Sequence, residues 1–165
     1  MQIRPRTPGD LPALTVGLRA VHDAVDYPSL WPEDPVAFVT VRGEAWVAVV
    51  EGQLAGQVVL SPLPDPPPAW VAASRLAGPL QEVKRLFVVP GVQGGGVGRA
   101  LLLRAQREAQ AAGATAVLQV NERSLPAVRL YERAGWRFLT RSPASWQEAD
   151  GLQAWVRVYA APGRD

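Results

Sequence analysis

The sequence predicts a mixed α/β fold, a central mixed sheet flanked by helices, and three observations carry that expectation. Short apolar runs that read as strands alternate with segments whose apolar residues recur at helical spacing. Glycine and proline punctuate the junctions between these segments. Hydrophobic residues make up 48% and charged residues 19% of the 165 residues, which suits a packed globular domain rather than a disordered chain. With no internal repeat and no long linker, residues 1–165 read as a single domain.

The elements follow in order. Ile3-Arg4-Pro5 fits a short edge strand, where proline is tolerated. Asp10 is placed to cap a helix running to about Asp23, with Pro12 in its first turn. Asp26 to Pro35, with Tyr27, Pro28, Trp31 and Pro32, reads as a loop, and a short helix around Val36 to Val41 follows. Ala45 to Val50 and Gln57 to Leu60 are two strands joined by a hairpin turn at Glu51-Gly52-Gln53. Ser61 to Pro79 is proline-rich and is expected to be mostly loop. Glu82 to Val89 is the next strand, ended by Pro90-Gly91. Val97, Leu101, Ala105 and Ala109 then mark one face of a helix that Gly113 closes. A buried strand at Ala116 to Val120 leads to a helix beginning at Ser124, with Pro126 in its first turn and Gly135 at its end. Strands around Trp136 to Leu139 and Leu152 to Tyr159 complete the order.

Composition narrows the chemistry. The chain has no cysteine, which removes disulfides, thiol catalysis and cysteine-ligated zinc, and its one histidine, His22, argues against a histidine-rich metal site. No metal is expected. The formal charge is only +2, and the basic residues, arginine except for Lys84, are spread along the chain, which does not suggest a nucleic-acid partner. The N-terminal residues lack the apolar core of a secretory signal, and no apolar run reaches membrane-spanning length. A cytoplasmic protein without a membrane partner is expected.

One segment is chemically distinctive: Val89-Pro90-Gly91-Val92-Gln93-Gly94-Gly95-Gly96-Val97-Gly98-Arg99, between a strand and a helix. Glycines allow a sharp turn there and bring main-chain N–H groups close to a ligand. The helix N-terminus adds its amides and dipole, so the segment suits a phosphate. A nucleotide-hydrolysing P-loop would need Lys-Ser or Lys-Thr after Gly96, where Val97 and Gly98 stand. The dinucleotide pattern G-x-G-x-x-G fails as well, because its third glycine would fall on Arg99 or Leu101. Glu122, after the following strand, is the acid that a ribose would need, so a dinucleotide-binding oxidoreductase stays as an alternative.

Gln93-x-x-Gly96-x-Gly98, preceded by Leu86-Phe87-Val88-Val89-Pro90 and followed by Arg99-Ala100-Leu101-Leu102, resembles the acyl-CoA-binding signature of the GCN5-related N-acetyltransferases. Ala127-Val128-Arg129-Leu130-Tyr131-Glu132-Arg133-Ala134-Gly135-Trp136 resembles that family's second signature, with Trp136 in place of the usual phenylalanine. The opening Ile3-Arg4-Pro5 with Asp10-Leu11 is also similar, and the element order agrees throughout.

The resemblance implies an N-acetyltransferase using acetyl-CoA as cosubstrate, with a small-molecule or peptide amine as acceptor. The main chain of Leu86, Phe87 and Val88 would receive the pantetheine arm, and Gln93, Gly94, Gly95, Gly96, Val97, Gly98 and Arg99 the diphosphate. Tyr131 takes the place of the family's proton donor to the departing thiolate, and a strand amide near Val88 would stabilise the oxyanion. Its alternative is a core tyrosine on the apolar face of its helix. Glu82 stands where some relatives carry a catalytic base; its alternative is a solvated strand end paired with Lys84 or Arg85, and His22 is a second candidate base. Ser124 occupies the place of an asparagine that touches CoA in many relatives, with Asn121 three residues earlier as a substitute. Tyr27, Trp31, His22, Asp23, Asp26, Ser61 and Trp70 fall in segments that usually frame the acceptor cleft. A homodimer through the C-terminal strands is the assembly the family suggests, and a non-catalytic acyl-CoA-sensing or interaction module on the same fold is the other alternative.

Overall fold

The computed structural model describes residues 1–92 and 95–163. Seven strands and five helices appear: β1 (Gln2–Pro5), α1 (Leu11–Val25), α2 (Pro35–Val39), β2 (Glu44–Val50), β3 (Gln53–Pro62), α3 (Ala69–Ser74), β4 (Leu80–Val88), α4 (Val97–Ala111), β5 (Thr115–Asn121), α5 (Leu125–Arg133), β6 (Arg137–Gln147) and β7 (Gln153–Ala160). The expected mixed α/β class holds, with the strands hydrogen-bonded in the order β1-β2-β3-β4-β5-β7-β6. The chain divides into two compact units, residues 1–61 with 84–105 and residues 62–83 with 106–165. Among the described residues no helix is long and apolar enough to cross a membrane.

In the first unit β1, β2 and β3 form an antiparallel meander. The β2–β3 turn is the two-residue Glu51-Gly52, both at positive φ, which matches the twist of a tight hairpin. Alternation along β2 sends Val47 to one face and Trp46 to the other. Val47 packs with Leu14, Leu18 and Val21 of α1, Val39 of α2 and Phe87 of β4. Trp46 instead lies under the Arg104 guanidinium of α4, 5.4 Å from the ring centre, so both faces are covered.

In the second unit the parallel ladder of β4 with β5 pairs Leu80 with Thr115, Gln81 with Ala116 and Glu82 with Val117. β7 runs antiparallel to both β5 and β6. Val117, Val158 and Ala160 pack with Trp70 of α3 on one face. Tyr159, one residue along from Val158, turns to the other face and lies 6.2 Å from the Tyr131 ring of α5.

Several boundaries differ from the sequence reading. The proline-rich stretch is not all loop: Pro68 precedes the short helix α3, which exists because Trp70 is drawn into the core. Asp10 stands directly before α1, yet its carboxylate makes no cap bond to that helix. It accepts two bonds from Arg4, at 2.7 and 2.9 Å, and others from the Thr7 amide and hydroxyl. A bidentate guanidinium outcompetes a single amide, so Asp10 ties β1 to the start of α1 instead. Strands β3 and β6 run longer than their apolar runs, because ladder partners extend them through polar residues.

The Arg4 guanidinium, with the Thr7 bonds, holds the Asp10 carboxyl well below the usual carboxylate range. Its stabilising contribution is therefore complete above the unfolded-state pKa of about 3.9 and is lost as the pH falls from there through the folded value. Asp10→Asn should cost about 2 kcal/mol at neutral pH. The measurement is Tm against pH: the variant curve should be flatter than that of the parent on the acid side, and equal slopes would refute the assignment.

Candidate active site

On the first unit, β4 leads into the glycine-rich turn. Phe87 is buried, and Leu86 and Val88 are half-buried. The Val89 amide donates to the Ala55 carbonyl at 2.9 Å, which fixes the end of the strand against β3. A Cβ on Gly56 would stand 2.3 Å from the Phe87 carbonyl oxygen, so only glycine permits this approach of the two backbones. Gly91 and Gly96 adopt φ of +93° and +76°, conformations that side chains disfavour. The first bond of α4 runs from the Ala100 amide to the Gly96 carbonyl. The amides of Val97, Gly98 and Arg99 precede that bond, at the positive end of the helix dipole. Gln93 and Gly94, both expected to touch a diphosphate, lie outside the described residues, while Arg99 is exposed.

The acceptor-side residues of the first unit gather around the α1–α2 loop. His22 Nδ1 lies 2.7 Å from the Pro28 carbonyl oxygen. A carbonyl only accepts, so Nδ1 carries the proton and Nε2 holds the lone pair of the neutral ring. Its ring is 5.4 Å from Trp31, which the Arg19 guanidinium also approaches at 4.9 Å. Arg19 pairs with Asp23, and Asp26 ends α1 in the left-handed conformation. Tyr27 and Trp31 pack against the buried cluster of α1. Burial pushes the Tyr27 hydroxyl up, against the opposing effect of the neighbouring Arg85 guanidinium. Ser61 is buried.

On the second unit, Glu82 is only 4% exposed and accepts a bond from Gln119 Nε2 at 2.8 Å. It is therefore no solvated strand end. Tyr131 is buried between Trp136 and Tyr159, at ring distances of 6.3 and 6.2 Å. Glu82 and Gln119 share the face of β4 and β5 that α3 covers, whereas Tyr131 packs on the opposite face of the second unit's sheet. Ser124 precedes α5 without a side-chain cap bond. Asn121 directs its amide to Glu148 at 2.7 Å, and its side-chain oxygen accepts the Arg123 amide at 2.9 Å. Trp70, framed in the sequence as an acceptor-side residue, is in the core. Glu122 binds Arg141 through both carboxylate oxygens, at 2.7 and 2.8 Å, so the acid that a ribose would need is engaged. Among the described residues no group of three or more His, Cys, Asp or Glu could hold a metal ion.

Two partly buried polar pairs escape a reading of the sequence. The Tyr159 hydroxyl donates to Glu132 at 2.9 Å, and burial together with that bond pushes it up to about 12. Glu148, from the loop after β6, supplies the partner of Asn121. Each joins residues 27 positions apart, a separation that carries no local pattern.

In the first unit a strand leads through a glycine turn into a helix N-terminus, and in the second a tyrosine is buried on α5. The acetyltransferase (GNAT) family profile matches residues 19–136, and the chain belongs to that family. It is an acetyl-CoA-dependent N-acetyltransferase. No curated protein sequence matches it. Solved structures share its fold. The ribosomal-protein-S18-alanine N-acetyltransferase of Escherichia coli is 22% identical, with a TM-score of 0.72 over 98% of this chain and 92% of that one. NAA60 of Arabidopsis thaliana, solved in complex with acetyl-CoA, is 20% identical, with a TM-score of 0.72 over 96% of each chain. Salmonella typhimurium yncA, solved with its cofactor acetyl-CoA, is 18% identical, with a TM-score of 0.70 over 100% of this chain and 98% of that one.

Gly56→Ala should push β3 from β4 and cost about 1–3 kcal/mol, as overpacking of a tight contact does. A denaturant midpoint equal to that of the parent would show that the two backbones separate freely.

Proposed function

We propose that residues 1–165 act as one N-acetyltransferase domain that moves the acetyl group of acetyl-CoA directly to an amine. The carrying observation is the glycine turn into α4, whose first amides precede the intrahelical bonds and suit a diphosphate. The pantetheine arm is assigned to the main chain of Leu86, Phe87 and Val88, since β4 runs on to Val88 past its last pair with β5. The amine attacks the thioester carbonyl, a strand amide near Val88 steadies the oxyanion, and the C–S bond breaks. Tyr131 gives its phenolic proton to the departing thiolate. A phenol, with an ordinary pKa of about 10, is a proton donor at neutral pH. Glu82 receives the proton of the attacking amine, directly or through water, and His22 Nε2 is the second candidate.

The similar Escherichia coli enzyme acts on a ribosomal-protein alanine, which supports an amine acceptor without fixing its class. Calorimetry should show CoA and acetyl-CoA binding and no heat with a nicotinamide dinucleotide; the reverse pattern would return the chain to the oxidoreductase reading. Tyr131→Phe should lower kcat by about 100-fold, the lower range of general acid catalysis, with CoA affinity unchanged. Full turnover in that variant would remove the proton-donor role. Glu82→Gln and His22→Asn, compared by the same release of CoA thiol, identify the base: only the true base variant should lose turnover while retaining CoA affinity.

A further inference from the structure

Arg85 is anomalous in both backbone and side chain. Of the non-glycine residues described at positive φ, Asp26, Glu51 and Arg75 lie at helix ends or turns, whereas Arg85, at φ +53°, lies inside strand β4. A non-glycine residue is disfavoured in this conformation, and such residues cluster where a site must aim a side chain. The bend directs the guanidinium into the aromatic group of the α1–α2 segment. Its Nε donates to the Phe38 carbonyl at 2.9 Å, its carbon lies 3.8 Å from the centre of the Phe38 ring, and it adjoins the Tyr27 hydroxyl.

Arg85, like the partly buried Arg6, is held by neutral acceptors rather than by a carboxylate. Arg4, Arg19, Arg123, Arg141 and Arg157 each stand within 4.0 Å of a carboxylate. Arg85 is half-buried, and among the described residues the ion pairs do not include it. One donor is used on Phe38 and another lies at Tyr27, while a guanidinium has five N–H groups in a planar fork. That fork, partly desolvated and held by a ring and a carbonyl, fits a carboxylate in bidentate geometry.

We infer that Arg85 binds the carboxylate of the acceptor, so that the substrate class is amines bearing a carboxylate, such as free amino acids. The inference rests on the acetyl-transfer reading above and names its acceptor. Arg85 stands directly before Leu86, so a carboxylate held there places an acceptor beside the backbone assigned to the pantetheine arm. The aromatic surfaces of Tyr27, Trp31 and Phe38 would line the side of the acceptor remote from its charge.

The test is release of CoA thiol from acetyl-CoA with the free L-amino acids and their matched carboxamides, alongside calorimetric binding of CoA. At least one free acid should exceed its carboxamide by about tenfold or more in kcat/KM, because the amide leaves a charged site unpaired. Arg85→Gln and Arg85→Lys should reduce that ratio to about threefold or less, Lys because it lacks the fork. CoA affinity should stay unchanged in both variants. Equal use of acids and amides by the parent enzyme, or an undiminished ratio in a folded variant, overturns the inference. So does CoA binding without turnover of any amino acid, which leaves the acetyl-transfer reading standing. Failure to bind CoA at all overturns both. The parent ratio is decisive even if both variants fail to fold.

Discussion

Strand β4 joins β5 at its start and β3 at its end, and the candidate site is built around that strand. Its first residues pair in parallel with β5, while its end is held to the antiparallel meander through the Ala55 carbonyl and the close approach at Gly56. Its regular alternation is interrupted at Arg85, in the left-handed conformation. The turn that carries Gly91 and Gly96 at positive φ follows the strand and leads into α4. Burying Phe87 beneath α1 supplies part of the apolar stabilisation that holds this geometry.

Polar groups follow a consistent arrangement. Asp10 has Arg4, Asn121 has Glu148, Tyr159 has Glu132, and Glu82 has Gln119. Buried polar groups that are bonded in this way avoid the cost of desolvation, and they orient the elements that carry them. The Asn121 amide is informative in this respect. With both ends of its side chain engaged inside the protein, it serves the end of β5, and a cofactor contact there would require exchanging a bond already made.

Much of the fold was legible because its signals are local. Helical spacing from Val97 to Ala109 located α4, and Gly113 and Gly135 mark the ends of α4 and α5 with φ of +73° and +80°. The glycine turn and the Leu130-Tyr131-Glu132 segment were readable for the same reason, since motif chemistry lies within a few consecutive residues. The helix α3 was hidden, because five prolines dominate the composition before it and only the burial of Trp70 explains it. Asp10 was misjudged as a cap because a competing guanidinium cannot be seen from local sequence.

The amino-acid order alone determined the class of fold, the place of the glycine-rich turn between strand and helix, and the helix that carries Tyr131. Those features arise from backbone preferences and residue periodicity, which act over short spans. Tertiary structure decided that Glu82 is buried rather than solvated, that Tyr131 lies on the opposite face from it, and that Arg85 meets Phe38 and Tyr27 without an acidic partner among the described residues. Each of these depends on which distant segments share a face, and a charge is costly or cheap only according to what surrounds it.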